Sequence, residues 1–207
     1  MKYVFAVTIL ITATGFVYSQ QTAVPSTQCS LKLAQSPAIR GIKLGMTLDE
    51  VLALFPGSRY DEYIKNEIAN VGFYSGVETL PRFGVVHFGV TPAQYSTKQK
   101  FADIESLSFT FLDDRLVVYG VQYSRPPWPK LDEFIDKVAG AFHLPAADKW
   151  TSENSLRKNL ECDSFRLQAF TRDGRAGLIL RTDDDPVVTQ RERRAASEAE
   201  ARREFRP

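Results

Sequence analysis

The sequence predicts an α+β protein: two tandem helix-plus-antiparallel-hairpin units forming a sheet with helices packed on one face, plus a C-terminal charged helix. Three observations carry that expectation. Amphipathic helical spacing follows Thr47 and again follows Lys130, and alternating apolar and polar runs come after each helix. The tripeptide Leu48-Asp49-Glu50, which opens the first helix, recurs as Leu131-Asp132-Glu133 at the opening of the second. At 207 residues and 43% hydrophobic content, the chain can bury about 70% of its unfolded surface.

Residues 1–20 read as a cleaved signal peptide. Lys2 supplies the positive charge, Tyr3 to Tyr18 is uncharged and mostly apolar, and Ser19-Gln20-Gln21 closes the segment. That apolar run is shorter than the ~20 residues a spanning helix needs, and no later stretch is long enough. Ser26-Thr27-Gln28 ahead of Cys29 is too polar for a lipidated cysteine, so a soluble exported protein is expected, periplasmic or extracellular. Cys29 and Cys162 are the only cysteines, and an oxidising compartment favours pairing them in a structural disulfide. Residues 21–38, with Pro25 and Pro37, form a leader loop held by Cys29.

The first unit is expected over 39–125. Ile39, Ile42 and Leu44 suggest a short strand. Thr47 and Glu50 have capping-box spacing, and Leu48, Val51, Leu52 and Phe55 share a helical face that Pro56-Gly57 ends. Residues 58–82 mix Tyr60, Tyr63, Phe73 and Tyr74 with charges and yield no assignment. Val85 to Val90 reads as a strand, and 91–100 as a polar loop. Leu107, Phe109 and Phe111, then Val117, Tyr119, Val121 and Tyr123, alternate on either side of Asp113-Asp114 as a hairpin. One apolar and one polar side imply a sheet covered on one face.

The second unit is expected over 126–185. Pro126, Pro127 and Pro129 around Trp128 make a stiff connector. Leu131, Phe134, Ile135, Val138 and Phe142 then follow helical spacing. Phe165, Leu167 and Ala169 pair with Leu178 to Leu180 around Asp173-Gly174. Residues 186–207 turn rich in Arg, Glu and Ala, with Thr189 and Glu192 at capping-box spacing, and read as a helical or disordered tail.

Gly41-Ile42-Lys43-Leu44-Gly45-Met46-Thr47-Leu48-Asp49-Glu50-Val51 resembles the strand-to-helix entry of periplasmic BamE (SmpA/OmlA) domains, and the order of elements resembles the β-lactamase inhibitory proteins. The resemblance covers residues 39–57. It implies a periplasmic α+β domain that contacts other envelope proteins.

No catalytic constellation emerges. His87 sits in an expected strand and His143 at a helix end, and a hydrolase using either one is the only enzyme reading. No G-x-S-x-G turn, histidine pair or glycine-rich phosphate loop is present. Asp183-Asp184-Asp185 offers hard oxygen ligands without the spacing of a calcium loop, so neither metal nor cofactor is expected. With 26 basic and 25 acidic residues there is no global field to attract nucleic acid. Tyr119, Tyr123 and Trp128 remain: aromatic anchors for a partner, or core. The expected function is therefore an exported, non-enzymatic protein that binds another envelope protein, with inhibition of an exported enzyme as the alternative.

Overall fold

The computed structural model describes residues 29–69, 83–97 and 99–205. The signal-peptide reading of 1–20, residues 21–28 of the leader and the stretch holding Phe73 and Tyr74 lie outside the described residues.

The first helix, α1 (Leu48–Ala53), starts as the capping box requires. Thr47 Oγ1 accepts from the Glu50 N–H at 3.2 Å, and Glu50 Oε2 accepts from the Thr47 N–H at 2.7 Å. A second short helix, α2 (Glu62–Ala69), follows where no assignment had been possible; Asp61 Oδ1 accepts from the Tyr63 and Ile64 N–H groups and begins it. Strands β1 (Val85–Val90), β2 (Ile104–Leu112) and β3 (Arg115–Tyr123) come next. Helix α3 (Leu131–Phe142) then leads to β4 (Thr151–Asn154), β5 (Arg157–Glu161), β6 (Phe165–Arg172) and β7 (Arg175–Thr182), and α4 (Pro186–Glu204) ends the chain.

The seven strands form one antiparallel sheet in the order β1-β2-β3-β7-β6-β5-β4. Two meanders, β1 to β3 and β4 to β7, therefore meet where the last strand of each pairs with the other, from Val118↔Arg181 to Gln122↔Gly177. Phe88, Phe109, Phe111, Tyr119, Leu167, Leu178 and Leu180 project to one side and form a single core cluster with Val51, Leu52 and Phe55 of α1 and Phe134, Ile135 and Val138 of α3. Alternation in the strands and the 3.6-residue spacing of α3 thus converge on one apolar layer.

Several local expectations need correction. Ile39, Ile42 and Leu44 are buried as a strand would require, but Arg40 and Gly41 take φ of 55° and 90° and reverse the chain, so Ile39 and Ile42 exchange backbone hydrogen bonds across a tight turn. Strands β4 and β5 were not foreseen, because β4 is exposed throughout and β5 buries only Leu160. The tail is helical from Pro186, and its cap is Asp185, whose Oδ1 accepts from the Val187 and Val188 N–H groups; Thr189 lies inside the helix. Lys130 precedes α3 without a side-chain cap, so the repeated Leu-Asp-Glu does not repeat the capping box.

Cys29 and Cys162 are bonded, closing a loop with a sequence separation of 133. The Cys29 N–H donates to the Glu161 carbonyl and the Asp163 N–H to the Leu31 carbonyl, so the leader lies against the end of β5. A loop of that length stabilises by roughly 4 to 5 kcal/mol through chain entropy.

Replacing Thr47 by Ala is expected to cost about 1 kcal/mol, read by urea denaturation. The Glu50 carboxyl is held below its ordinary value chiefly by the Thr47 backbone N–H, then by the Thr47 hydroxyl. Its contribution is thus complete at neutral pH and is lost as the carboxylate protonates on acidification. Glu50→Gln should accordingly narrow its stability deficit against the wild type between neutral pH and about pH 3.

Candidate binding surfaces on either side of the sheet

The side of the sheet away from the core carries a polar array fixed by register. Gly89, Ser108, Gly120, Ile179, Gln168 and Asn159 follow one another across six strands. In the neighbouring row, Thr110 pairs with Val118, Val118 with Arg181, Arg181 with Arg166, and Arg166 with Glu161. Two arginines are therefore direct cross-strand neighbours, an arrangement that costs stability unless an anion compensates. Arg166 reaches Glu161 at 2.8 Å and Asp183 at 3.7 Å, whereas the Arg181 guanidinium makes no ion pair among the described residues. Both line a depression of about 200 Å³ with Asn159, Glu161, Leu167, Gln168 and Ile179.

Most other charges on this side are matched: Arg175 contacts Glu105 at 2.7 Å, and Arg157 contacts Glu153 at 3.7 Å. Gln168 Nε2 donates to Glu153 and to Asn159, which orders the floor beside the arginines. The sequence carried a signal for this pair. Asp173-Gly174 makes a two-residue turn that pairs Arg172 with Arg175, and counting outward in steps of one brings Arg166 opposite Arg181.

On the core side, an open groove of about 540 Å³ runs between the Ala38–Gly41 turn, the end of β3 and one flank of α3. Tyr123 and Trp128 both line it, and each stands edge-on to Phe134, with ring centroids 5.7 and 5.5 Å apart. The Trp128 backbone N–H donates to the Gly174 carbonyl, which fixes the proline-rich connector to the β6–β7 turn. At one end Arg40 holds both Asp103 oxygens at 2.8 Å. Arg125 and Lys137 also line the groove, and neither makes an ion pair among the described residues.

The aromatic candidates therefore separate. Tyr119 is core: it has no exposed surface, and its hydroxyl donates toward the Pro37 and Ile42 carbonyls at 2.9 and 3.2 Å. Burial pushes its pKa far upward. Tyr123, at the strand end, is only partly covered and shares the groove with Trp128. Its pKa is raised to about 12, first by burial, then by the Asp103 charge, against an opposing effect of Arg40.

His87 is exposed on β1, with Nδ1 2.9 Å from the Thr110 hydroxyl, and His143 ends α3 with a left-handed backbone. They occupy separate elements: His87 stands opposite Thr110 and extends the arginine row onto β1, outside the depression itself, and His143 lines neither the depression nor the groove. Among the described residues no three His, Cys, Asp or Glu side chains gather to hold a metal, and no helix is long and apolar enough to cross a membrane. Asp185 is occupied as a helix cap, and Asp183 lies near Arg166.

No family model matches the chain, and no curated protein or solved structure matches it.

The neutral Tyr123 phenol is favoured in the fold, so its contribution is intact below the ordinary tyrosine pKa near 10 and is lost as pH rises from there to about 12. Tyr123→Phe should flatten the alkaline fall in stability over that window. Absorbance titration should show one late-forming tyrosinate fewer.

Proposed function

We propose that this is an exported, non-enzymatic binding protein whose uncovered sheet face receives a carboxylate-bearing surface of another protein in the cell envelope. The Arg166–Arg181 cross-strand pair carries the reading: the fold keeps two like charges side by side in a depression that Asn159, Gln168 and Glu161 also line, and Glu161 engages Arg166, which leaves Arg181 without an acidic partner among the described residues. Arginine forks match carboxylates in geometry as well as charge. Ile179 stands beside them as a half-buried apolar contact, and a few such residues commonly dominate an interface.

Export rests on the apolar leader at residues 3–18 and is consistent with the Cys29–Cys162 disulfide. The two meanders, each preceded by a helix and joined through their last strands, support a doubled helix-plus-strands architecture. In this reading the joined sheet is the platform and the helices are its support.

The test separates binding from folding by a single charge reversal. Arg181→Glu places a carboxylate opposite Arg166, so the fold should gain about 0.2 to 1 kcal/mol, while capture of the partner should fall at least tenfold. Oxidised residues 21–207 and the variant would be compared in affinity capture from native envelope extract. A protein enriched by the wild type and lost with the variant supports the reading, and saturable one-to-one inhibition of it, if it is an exported hydrolase, identifies the inhibitor form. Equal enrichment by both proteins overturns the sheet-face site.

A further inference from the structure

The groove beside α3 is separate from the sheet face, and its chemistry is different. We infer that it is a binding site for a small amphiphile with an apolar body and an anionic head, such as a medium-chain carboxylate.

Aromatic and aliphatic side chains form one wall of the open groove: Tyr123, Trp128, Phe134, Val138 and Phe142. Phe134 is almost fully buried and forms a floor against which the other two rings stand edge-on, so the wall is rigid before any ligand arrives. The small side chain of Ala141 leaves the outer flank of α3 open where a larger residue would close it. A volume of about 540 Å³ falls within the range of small-molecule sites, about 300 to 1,000 Å³.

The polar groups select the head. Asp103, the groove's one acidic lining residue among those described, is held by Arg40, whose Nη2 donates to both carboxylate oxygens. That leaves Arg125 and Lys137, two exposed cations with no ion pair among the described residues, facing an apolar wall. Such a rim attracts a carboxylate or other anion and repels a quaternary ammonium, although a ring-lined wall alone would welcome the latter. Charge complementarity therefore decides between two heads that the aromatic wall would not distinguish.

The probes are octanoate, decanoate, decanol and decyltrimethylammonium, each below its micelle concentration, titrated against oxidised residues 21–207. Trp128 reports binding by fluorescence, since Trp150 is buried, with its indole N–H bonded to the Pro145 carbonyl. Decanoate should bind saturably, more tightly than octanoate by about threefold to fourfold per methylene, and at least tenfold more tightly than decyltrimethylammonium. Raising ionic strength should shrink the charge preference. The double change Arg125→Glu with Lys137→Glu should reverse the order of the carboxylate and the ammonium. By calorimetry, Ala141→Phe should abolish binding without lowering Tm.

A saturable response that is equal for all three ten-carbon probes overturns the anionic assignment. Absence of saturation with every probe, or undiminished binding to Ala141→Phe, overturns the site itself. None of these results depends on Arg181, so the fate of the sheet-face reading is decided separately.

Discussion

Pairing of β3 with β7 is the constraint on which the rest of the molecule depends. Without it the chain would present two small sheets, of three and four strands, each with an unpaired edge at β3 or β7 and half of the apolar layer. With it, Tyr119 lies opposite Leu180 and Val121 opposite Leu178, and the two halves share one apolar layer. Tyr119 carries the effect further, because its hydroxyl fastens the Pro37 and Ile42 carbonyls and so suspends the turn that walls the groove. On the reverse side the same register sets Arg181 in the middle of the sheet, between Val118 and Arg166. The arginine row and the groove wall are thus consequences of one strand pairing.

The energetics explain why the arginine pair is tolerated. Exposed cross-strand charge pairs change stability by about 1 kcal/mol or less, against a total of about 5 to 15 kcal/mol for a domain. That is too little to unfold the protein and enough for a compensating carboxylate to be felt on binding. The surrounding charges strengthen the point. Arg175 and Arg157 each have an acidic neighbour on the same side of the sheet, so an unmatched arginine is a local exception there.

Much of the architecture was legible because its signals are local. Alternation marked β2, β3, β6 and β7; Asp113-Asp114 and Asp173-Gly174 marked their turns; and Leu131 to Phe142 marked α3. Elements defined by tertiary context escaped. In β5 the charged Lys158 is largely covered, satisfied by Asp132 of α3 at 2.7 Å, so polarity hid a paired strand. Around Ile42 the apolar alternation is real but the backbone reverses, since Arg40-Gly41 adopts a turn that two positive φ angles define. Tyr119 and Tyr123 share one strand face in sequence, yet only position along the strand decides that the first lies under the Pro37–Ile42 segment and the second opens into a groove.

The groove was less legible still, because its walls come from four separate segments, near residues 40, 103, 125 and 138. Those segments meet through contacts that no periodicity encodes: the Arg40–Asp103 ion pair, the Trp128 N–H to Gly174 and the two edge-on contacts to Phe134. The Gly174 contact also brings the groove's connector to the turn that joins β6 to β7, the strands bearing Arg166 and Arg181. That proximity does not couple the two surfaces. The arginines stand seven to eight residues from the turn, along a hairpin paired without interruption from Arg172↔Arg175 to Phe165↔Thr182. Moving one relative to the other would require a break in that ladder. The sheet therefore stands as a continuous divider, with the arginine-bearing face on one side and the aromatic groove on the other.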